Sequence, residues 1–301
     1  MTHHHREIEP GNLDRRLWAS AALNLGITLV EIIGGLWAGS LALLADAAHN
    51  LADVGALGLA IFARRLGRRA PTPRHTYGLK RAEVVAALLN AAVLIAISAL
   101  IGREAVARLF HPEPVRSSVM LVAAAAAFLA NVGSVLLLRT HSAEDINVRS
   151  AFLHVAQDAL ASLAVVVAAL FARTAAGRYV DPAVAILIGV VVLRSAISIV
   201  SESLRTLLEA APAGVNVEDL AQDVARRFTD VRLHHVHAWE VGPGQRVLTA
   251  HMKVGATTLL EAEVIAAEVR RFLHEEWGIT HATLEAEANG CGREDLLGDW
   301  K

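Results

Sequence analysis

The sequence predicts an α-helical membrane protein with six spans, followed by a small cytoplasmic α+β domain. The first observation behind that expectation is composition: 54% of the 301 residues are hydrophobic and mean hydropathy is +0.43. A soluble chain of this size rarely runs so apolar, because charged residues must cover its surface. The second is that the excess is confined. From about Leu17 to Leu204 long apolar runs alternate with short polar breaks, and after Leu208 the chain becomes a mixture rich in Glu, Asp and Arg. The expected division is an N-terminal arm over 1–16, a membrane domain over 17–206 and a soluble domain over 207–301.

A bilayer-crossing helix takes roughly 20 mostly apolar residues. Six segments reach that length: Leu17–Trp37, Leu41–Leu66, Val84–Leu109, Val119–Leu138, Ala151–Ala172 and Ala183–Leu204. Pro112, Pro114 and Pro182 fall in the breaks, where proline is expected to stop or start helices. Arginine orients the spans. The loop between the second and third, RRLGRRAPTPRHTYGLKR, is strongly basic; Arg6, Arg15 and Arg16 precede the first span and Arg205 follows the sixth. The AGS turn between the first two spans has no charge. The positive-inside rule then places both termini and the second-to-third loop in the cytoplasm, against the fewer Arg116, Arg173 and Arg178 on the other side.

The N-terminus MTHHHREIEP is polar, unlike a cleavable signal peptide, and its three His read either as a metal-collecting arm or as chance. Compact loops without a targeting segment suit a bacterial plasma (inner) membrane, crossed several times and bathed in lipid. The single Cys291 excludes an internal disulfide framework and a Cys₄ zinc site within one chain. The net charge of −2 averages two unlike parts, and no nucleic-acid partner is expected.

An ionisable side chain inside a span is costly and by default marks a pathway or a binding site. The second span carries Asp46, His49, Asn50 and Asp53, and the fifth carries His154, Gln157 and Asp158. The pair His-x-x-x-Asp therefore occurs in both. Four residues is slightly more than one helical turn, so each pair projects from one face. Facing helices would bring two imidazoles and two carboxylates to one point. That set suits tetrahedral Zn²⁺, whose charge the two Asp neutralise, whereas an all-oxygen set would favour Mg²⁺, Ca²⁺ or Mn²⁺. One pair alone reads more simply as a hydrogen bond fastening helices; the repetition favours the metal. Asp46 lies near the same face as Asp53, and Asn24, Glu31 and Asn131 either orient the ligands or bond helices together.

The tail reads as one small α+β domain. VNVEDLAQDVARRF and TLLEAEVIAAEVRRFLHEEW are amphipathic helices; VRLHHVHAWEV and RVLTAHMKV form a hairpin about GPGQ, and HATLEAEA is a third strand. The hairpin brings His234 and His237 across from His251, and Glu285 and Glu287 alternate with Ala286 so that both face one side. His with carboxylate is again a borderline Zn²⁺ set.

In SLALLADAAHNLADV, HTYGLKRAEVVAALLNA, HVAQDALAS, HHVHAWEV, TAHMKV and HATLEAE, the sequence resembles the cation diffusion facilitator family, in particular its zinc-transporting members, over nearly its whole length. The resemblance implies a homodimer with a Y-shaped membrane part, a ferredoxin-like cytoplasmic domain, and exchange of cytoplasmic metal for external protons. It places the transport site on His49, Asp53, His154 and Asp158. His at the first position resembles the zinc-selective pattern; members with Asp there accept Cd²⁺ more readily, and Co²⁺ or Ni²⁺ also suit the donor set. In the cytoplasmic domain the resemblance points to His234, His251 and Glu285 or Glu287 as ligands of a regulatory zinc. His237 belongs to the family's HxW signature, and His281 is a weaker candidate. Some members also hold metal in the second-to-third loop with one Asp and two His; here His75 matches and Leu79 stands where the second His would be. Arg81 and Glu209 fall where the family has a charge interlock.

Two rivals remain at this stage. A non-transporting metal sensor would use the tail as its detector, but has no need of paired intramembrane sites. An intramembrane zinc hydrolase needs three ligands, an open coordination position and a general base, and the sequence has no HExxH motif. An enzyme is therefore not expected. The reading favoured is proton-coupled efflux of Zn²⁺, with the cytoplasmic domains associating when metal binds them.

Overall fold

The computed structural model describes residues 10–139, 146–174, 177–255, 258–288, 291 and 295–298. The three His of the N-terminal run lie outside the described residues. Six long helices come first: α1 Pro10–Ala38, α2 Leu41–Gly67, α3 Ala82–Phe110, α4 Ser117–Arg139, α5 Ile146–Phe171 and α6 Gly177–Leu207. They are followed by α7 Val217–Arg227, β1 Val231–Gly242, β2 Gln245–Val254, α8 Leu259–Trp277 and β3 Ile279–Glu287. The chain divides into two compact units, the first running up to Gly58 and over Leu89–Ser198, the second comprising Leu59–Leu88 and the chain from Ile199 onward.

In the first unit the usual distribution of side chains is inverted. Buried positions are small, such as Ala42, Ala45, Ala91, Ala124 and Ala168, while Leu29, Ile33, Leu36, Val122, Leu129, Leu160, Leu187 and Val191 are exposed. Such an apolar exterior is stable only against lipid. Close approach follows from the small interior: at Gly34 in α1 a Cβ would lie 2.6 Å from Ala123 Cβ in α4. Among the described residues, α3, α6 and the segments Ser117–Leu136 and Phe152–Phe171 are long and apolar enough to cross a membrane, with a shorter apolar stretch at Leu23–Ala38. Helix α2 falls short on composition, not length, because it carries Asp46, His49, Asn50 and Asp53.

Two boundaries differ from the sequence expectation. Helix α1 begins at Pro10, ahead of the apolar run, because proline's fixed φ suits a first helical turn. Pro182 lies inside α6, not in the break before it. It stands near the helix start, where the loss of one backbone donor is cheap. The adjoining Asp181 has a use that the sequence did not reveal. Its buried carboxylate accepts hydrogen bonds from Ser40 Oγ (2.5 Å), Leu41 N (2.9 Å) and Ala42 N (3.3 Å), so α6 caps the start of α2. Gly39 makes the preceding turn at φ +71°, and Arg108 of α3 donates to its carbonyl at 2.6 Å. Asp181→Ala is expected to destabilise the folded protein by about 2–3 kcal/mol, read by chemical denaturation in detergent, since it strands buried donors at a helix end.

The second unit contains the tail domain. Its sheet has the order β1-β2-β3, β1 antiparallel to β2 and β2 parallel to β3, the parallel pair being joined by α8 as such a crossover requires. Asn216 caps α7 by accepting from Glu218 N and Asp219 N, and Thr258 with Glu261 forms a capping box on α8. Leu220 and Val224 of α7, Val236 of β1, Leu248 and Met252 of β2 and Val269 and Leu273 of α8 form the core. This helix-strand-strand-helix-strand order is the ferredoxin-like arrangement.

Candidate metal centres

Helices α2 and α5 bring the repeated pairs together. His49 Nε2 lies 3.7 Å from Asp53 Oδ2 and 3.6 Å from Asp158 Oδ1; His154 Nε2 lies 3.4 Å from Asp53 Oδ2 and 3.8 Å from Asp158 Oδ2. The imidazoles stand edge to face with centroids 6.1 Å apart. Each His thus faces both carboxylates, one from its own helix and one from the other. These separations are long for hydrogen bonds, and Asp53 Oδ2 and Asp158 Oδ1 are buried without a hydrogen-bond partner. They approach the edge of a coordination tetrahedron, roughly 3.3 Å for Zn–N and Zn–O bonds near 2.0–2.1 Å. His49, Asp53 and Asp158 offer donors within 4.8 Å of one another, and His154 approaches both carboxylates from outside that group, an arrangement that suits a dication better than a pair of helix fasteners.

A second layer of buried polar groups surrounds these donors. Ser162 Oγ donates to Asp46 Oδ2 (2.9 Å) and accepts from Asn131 Nδ2 (3.2 Å), linking α2, α4 and α5. Asn50 Nδ2 donates to Glu31 Oε2 of α1 (2.8 Å). Asn131 and Glu31 thus serve as interhelical bonds, while Asn24 is engaged through its carbonyl, which accepts from Thr28 Oγ1. Ser162 carried no signal in the sequence, since a serine in a span is unremarkable until its partner is known.

The cytoplasmic domain holds a second cluster. His234 pairs in register with His251, and His251 with Glu285. Glu287 bridges the two imidazoles: its Oε1 accepts from His251 Nδ1 at 2.6 Å, and its Oε2 lies 3.2 Å from His234 Nε2 without a hydrogen bond. Glu285 Oε2 is 3.6 Å from His251 Nε2 but mostly exposed. His237 is opposite Thr249, not His251: it lies three positions beyond the His234–His251 pair, and the shift between His234 and His237 moves its partner by one, from Leu248 to Thr249. His235 occupies that irregularity at φ +49°, a left-handed conformation uncommon for a residue with a Cβ. Beside the cluster is a cavity of about 480 Å³ whose lining includes His235, His237, His251 and Glu285. His234, His251 and Glu287 offer donors within 4.8 Å of one another together with Cys291. The buried, unpartnered Glu287 oxygen between two imidazoles fits a Zn²⁺-type cation. Cys291 was set aside in the sequence as a single thiol; only its distance to His234 brings it in. His281, opposite Val247, is exposed.

The remaining candidates are simpler. His75 closes a tight turn with Thr72 through reciprocal backbone bonds of 2.9 and 3.0 Å. Among the described residues no group of three or more possible ligands includes it. Arg81 Nη2 and Glu209 Oε1 form an ion pair of 2.8 Å, partly exposed.

An apolar helical bundle with a partly buried His/Asp cluster between two of its helices, joined to a ferredoxin-like domain, defines a polytopic membrane protein with a candidate metal site. Comparison with known proteins makes this specific. Residues 17–208 match the cation efflux transmembrane domain and residues 203–289 the cation efflux protein cytoplasmic domain. The chain belongs to the cation efflux, or cation diffusion facilitator, family. It is 40% identical over 293 residues to the zinc transporter ZitB of Pectobacterium atrosepticum, covering 97% of this chain and 90% of that one. It is 32% identical over 291 residues to the metal cation efflux system protein CzcD of Cupriavidus metallidurans, covering 97% and 92%. To the cadmium, cobalt and zinc/H(+)-K(+) antiporter of Bacillus velezensis it is 31% identical over 300 residues, covering 99% and 95%. The chain is therefore a multi-pass membrane transporter for divalent metal efflux, and not an enzyme.

Proposed function

We propose that the protein exports Zn²⁺ from the cytoplasm in exchange for protons, as a homodimer in a bacterial inner membrane with both termini inside. Residues 17–206 carry the metal across, and residues 207–301 sense it. His49, Asp53, His154 and Asp158 are the transport ligands, and the observation that carries this reading is their set of four His–Asp separations of 3.4–3.8 Å from two helices. Two carboxylates offset the charge of the cation where lipid could not. Protons and metal compete for the same lone pairs, and that competition couples the fluxes. The relatives' names support zinc as the cargo and proton exchange as the drive. Zinc at His234, His251 and Glu287 regulates transport by drawing the cytoplasmic domains of the dimer together. The Arg81–Glu209 ion pair ties the second-to-third loop to the base of that domain.

Zn²⁺ uptake into proteoliposomes under an imposed pH gradient tests the reading. Accumulation is expected with the gradient and not after its collapse; uptake indifferent to the gradient contradicts proton coupling. In the same assay His49→Asp is expected to raise Cd²⁺ flux relative to Zn²⁺. It replaces a nitrogen donor by a carboxylate able to bind a larger ion through two oxygens. An unchanged flux ratio counts against His49 as a ligand.

A further inference from the structure

Cys291 lies beyond the matched cytoplasmic domain, which ends at residue 289, and yet it approaches the histidines of the edge strand β1. Its Sγ is 3.4 Å from Nε2 of His234, a buried imidazole, and 3.9 Å from Nδ1 of His235. In a tetrahedral zinc site with Zn–S near 2.3 Å and Zn–N near 2.0–2.1 Å, sulfur and nitrogen are roughly 3.5 Å apart. His234 Nε2 therefore stands at ligand spacing from the thiol on one side and from the unpartnered Glu287 Oε2, at 3.2 Å, on the other. The donors of His234, His251, Glu287 and Cys291 lie within 4.8 Å of one another.

The backbone supplies a second, independent observation. The left-handed turn at His235 leaves edge-strand donors that the C-terminal residues take up: His235 N donates to Asp295 O (3.2 Å) and Val236 N to Leu296 O (2.7 Å). Gly298, at φ +68°, packs against the His235 ring, where a Cβ would come within 3.0 Å. Asp295 and Leu296 are thus seated on β1 beside the cluster.

We propose that Cys291 is a thiolate ligand of the cytoplasmic metal site, completing a His₂GluCys set that takes Zn²⁺ or Cd²⁺ and clamps the C-terminal segment to the sheet. The inference rests on the reading of His234, His251 and Glu287 as a metal site. A thiolate in place of an oxygen donor selects borderline and soft dications over Mg²⁺, Ca²⁺ or Mn²⁺. Binding deprotonates the thiol, its proton passing to solvent, and the metal then blocks the sulfur from electrophiles.

Cys291 is the only cysteine, so thiol alkylation of the full-length protein in detergent reports on it alone. Stoichiometric Zn²⁺ is expected to slow alkylation by about tenfold or more. His234→Ala or His251→Ala restores the rate, and Asp53→Ala, in the membrane site, leaves the protection in place. Co²⁺-loaded protein is expected to show a sulfur-to-cobalt charge-transfer band that Cys291→Ser removes. If His234→Ala lowers bound Zn²⁺ while Zn²⁺ leaves alkylation of the parent unchanged and the band is missing, the site stands without the thiolate and the proposal is overturned. If neither His234→Ala nor His251→Ala loses bound metal, the underlying reading of the cluster falls as well.

Discussion

Asp158→Ala is expected to abolish zinc transport, with affinity at the membrane site falling by at least about 100-fold. Two arguments give that scale. Loss of an outer-shell partner alone costs 10–100-fold in metal affinity at typical sites, and loss of a direct ligand costs more. Separately, an unneutralised charge at mid-membrane costs about 3 kcal/mol, which converts to about 100-fold. Asp158 is the most buried of the four side chains and approaches both imidazoles, at 3.6 and 3.8 Å. Asp53→Ala should behave alike, since Asp53 Oδ2 also approaches both imidazoles. Zinc uptake by proteoliposomes holding matched amounts of folded protein checks both variants. Flux at the parent's level from either one removes the tetrad from the pathway.

Acidification is expected to release the metal. Zinc needs the neutral form of His49 and His154, so each proton taken up by an imidazole is one the metal must displace. With two imidazole ligands in competition with protons, affinity falls by up to about 100-fold per pH unit where both rings are protonated and levels off where both are neutral. The sign follows from charge: the protonated rings would crowd a dication with further positive charge. Equilibrium zinc binding between pH 8 and pH 5, in a His234→Ala/His251→Ala background that silences the cytoplasmic cluster, measures it. His49→Ala should weaken binding and reduce the steepness by about half. A pH-independent affinity contradicts metal–proton competition at these rings.

Much of this was legible because membrane helices obey a strict rule. Backbone polar groups must be satisfied inside the segment, so apolar runs of sufficient length are helices, and the observed α2 and α3 ends lie within a few residues of those read from hydropathy. The paired His-x-x-x-Asp was equally legible, because helical spacing alone places each pair on one face. What stayed hidden depends on long-range partners. Asp181 reads as an acid beside a helix-stopping proline; only the fold shows it capping α2 across the chain. Ser162 was invisible for the same reason. In the tail, the hairpin was expected to bring both His234 and His237 across from His251, but a ladder that pairs His234 with His251 carries His237 three positions on, to Leu248 in a regular register and to Thr249 after the shift at His235. The left-handed residue His235 shifts the register by one position, which hydrophobic patterning alone does not encode. Cys291 lies outside the strands, where no periodicity places it beside His234.

X-ray absorption at the zinc edge tests the central claim most directly, on full-length protein carrying His234→Ala, His251→Ala and Cys291→Ser and loaded with zinc. The prediction is a four-coordinate ion with nitrogen and oxygen neighbours about 2.0–2.1 Å away, two of them imidazole, and loss of that ion on adding Asp158→Ala. A zinc with no imidazole neighbours, or one retained unchanged in the Asp158→Ala protein, contradicts a shared site between α2 and α5.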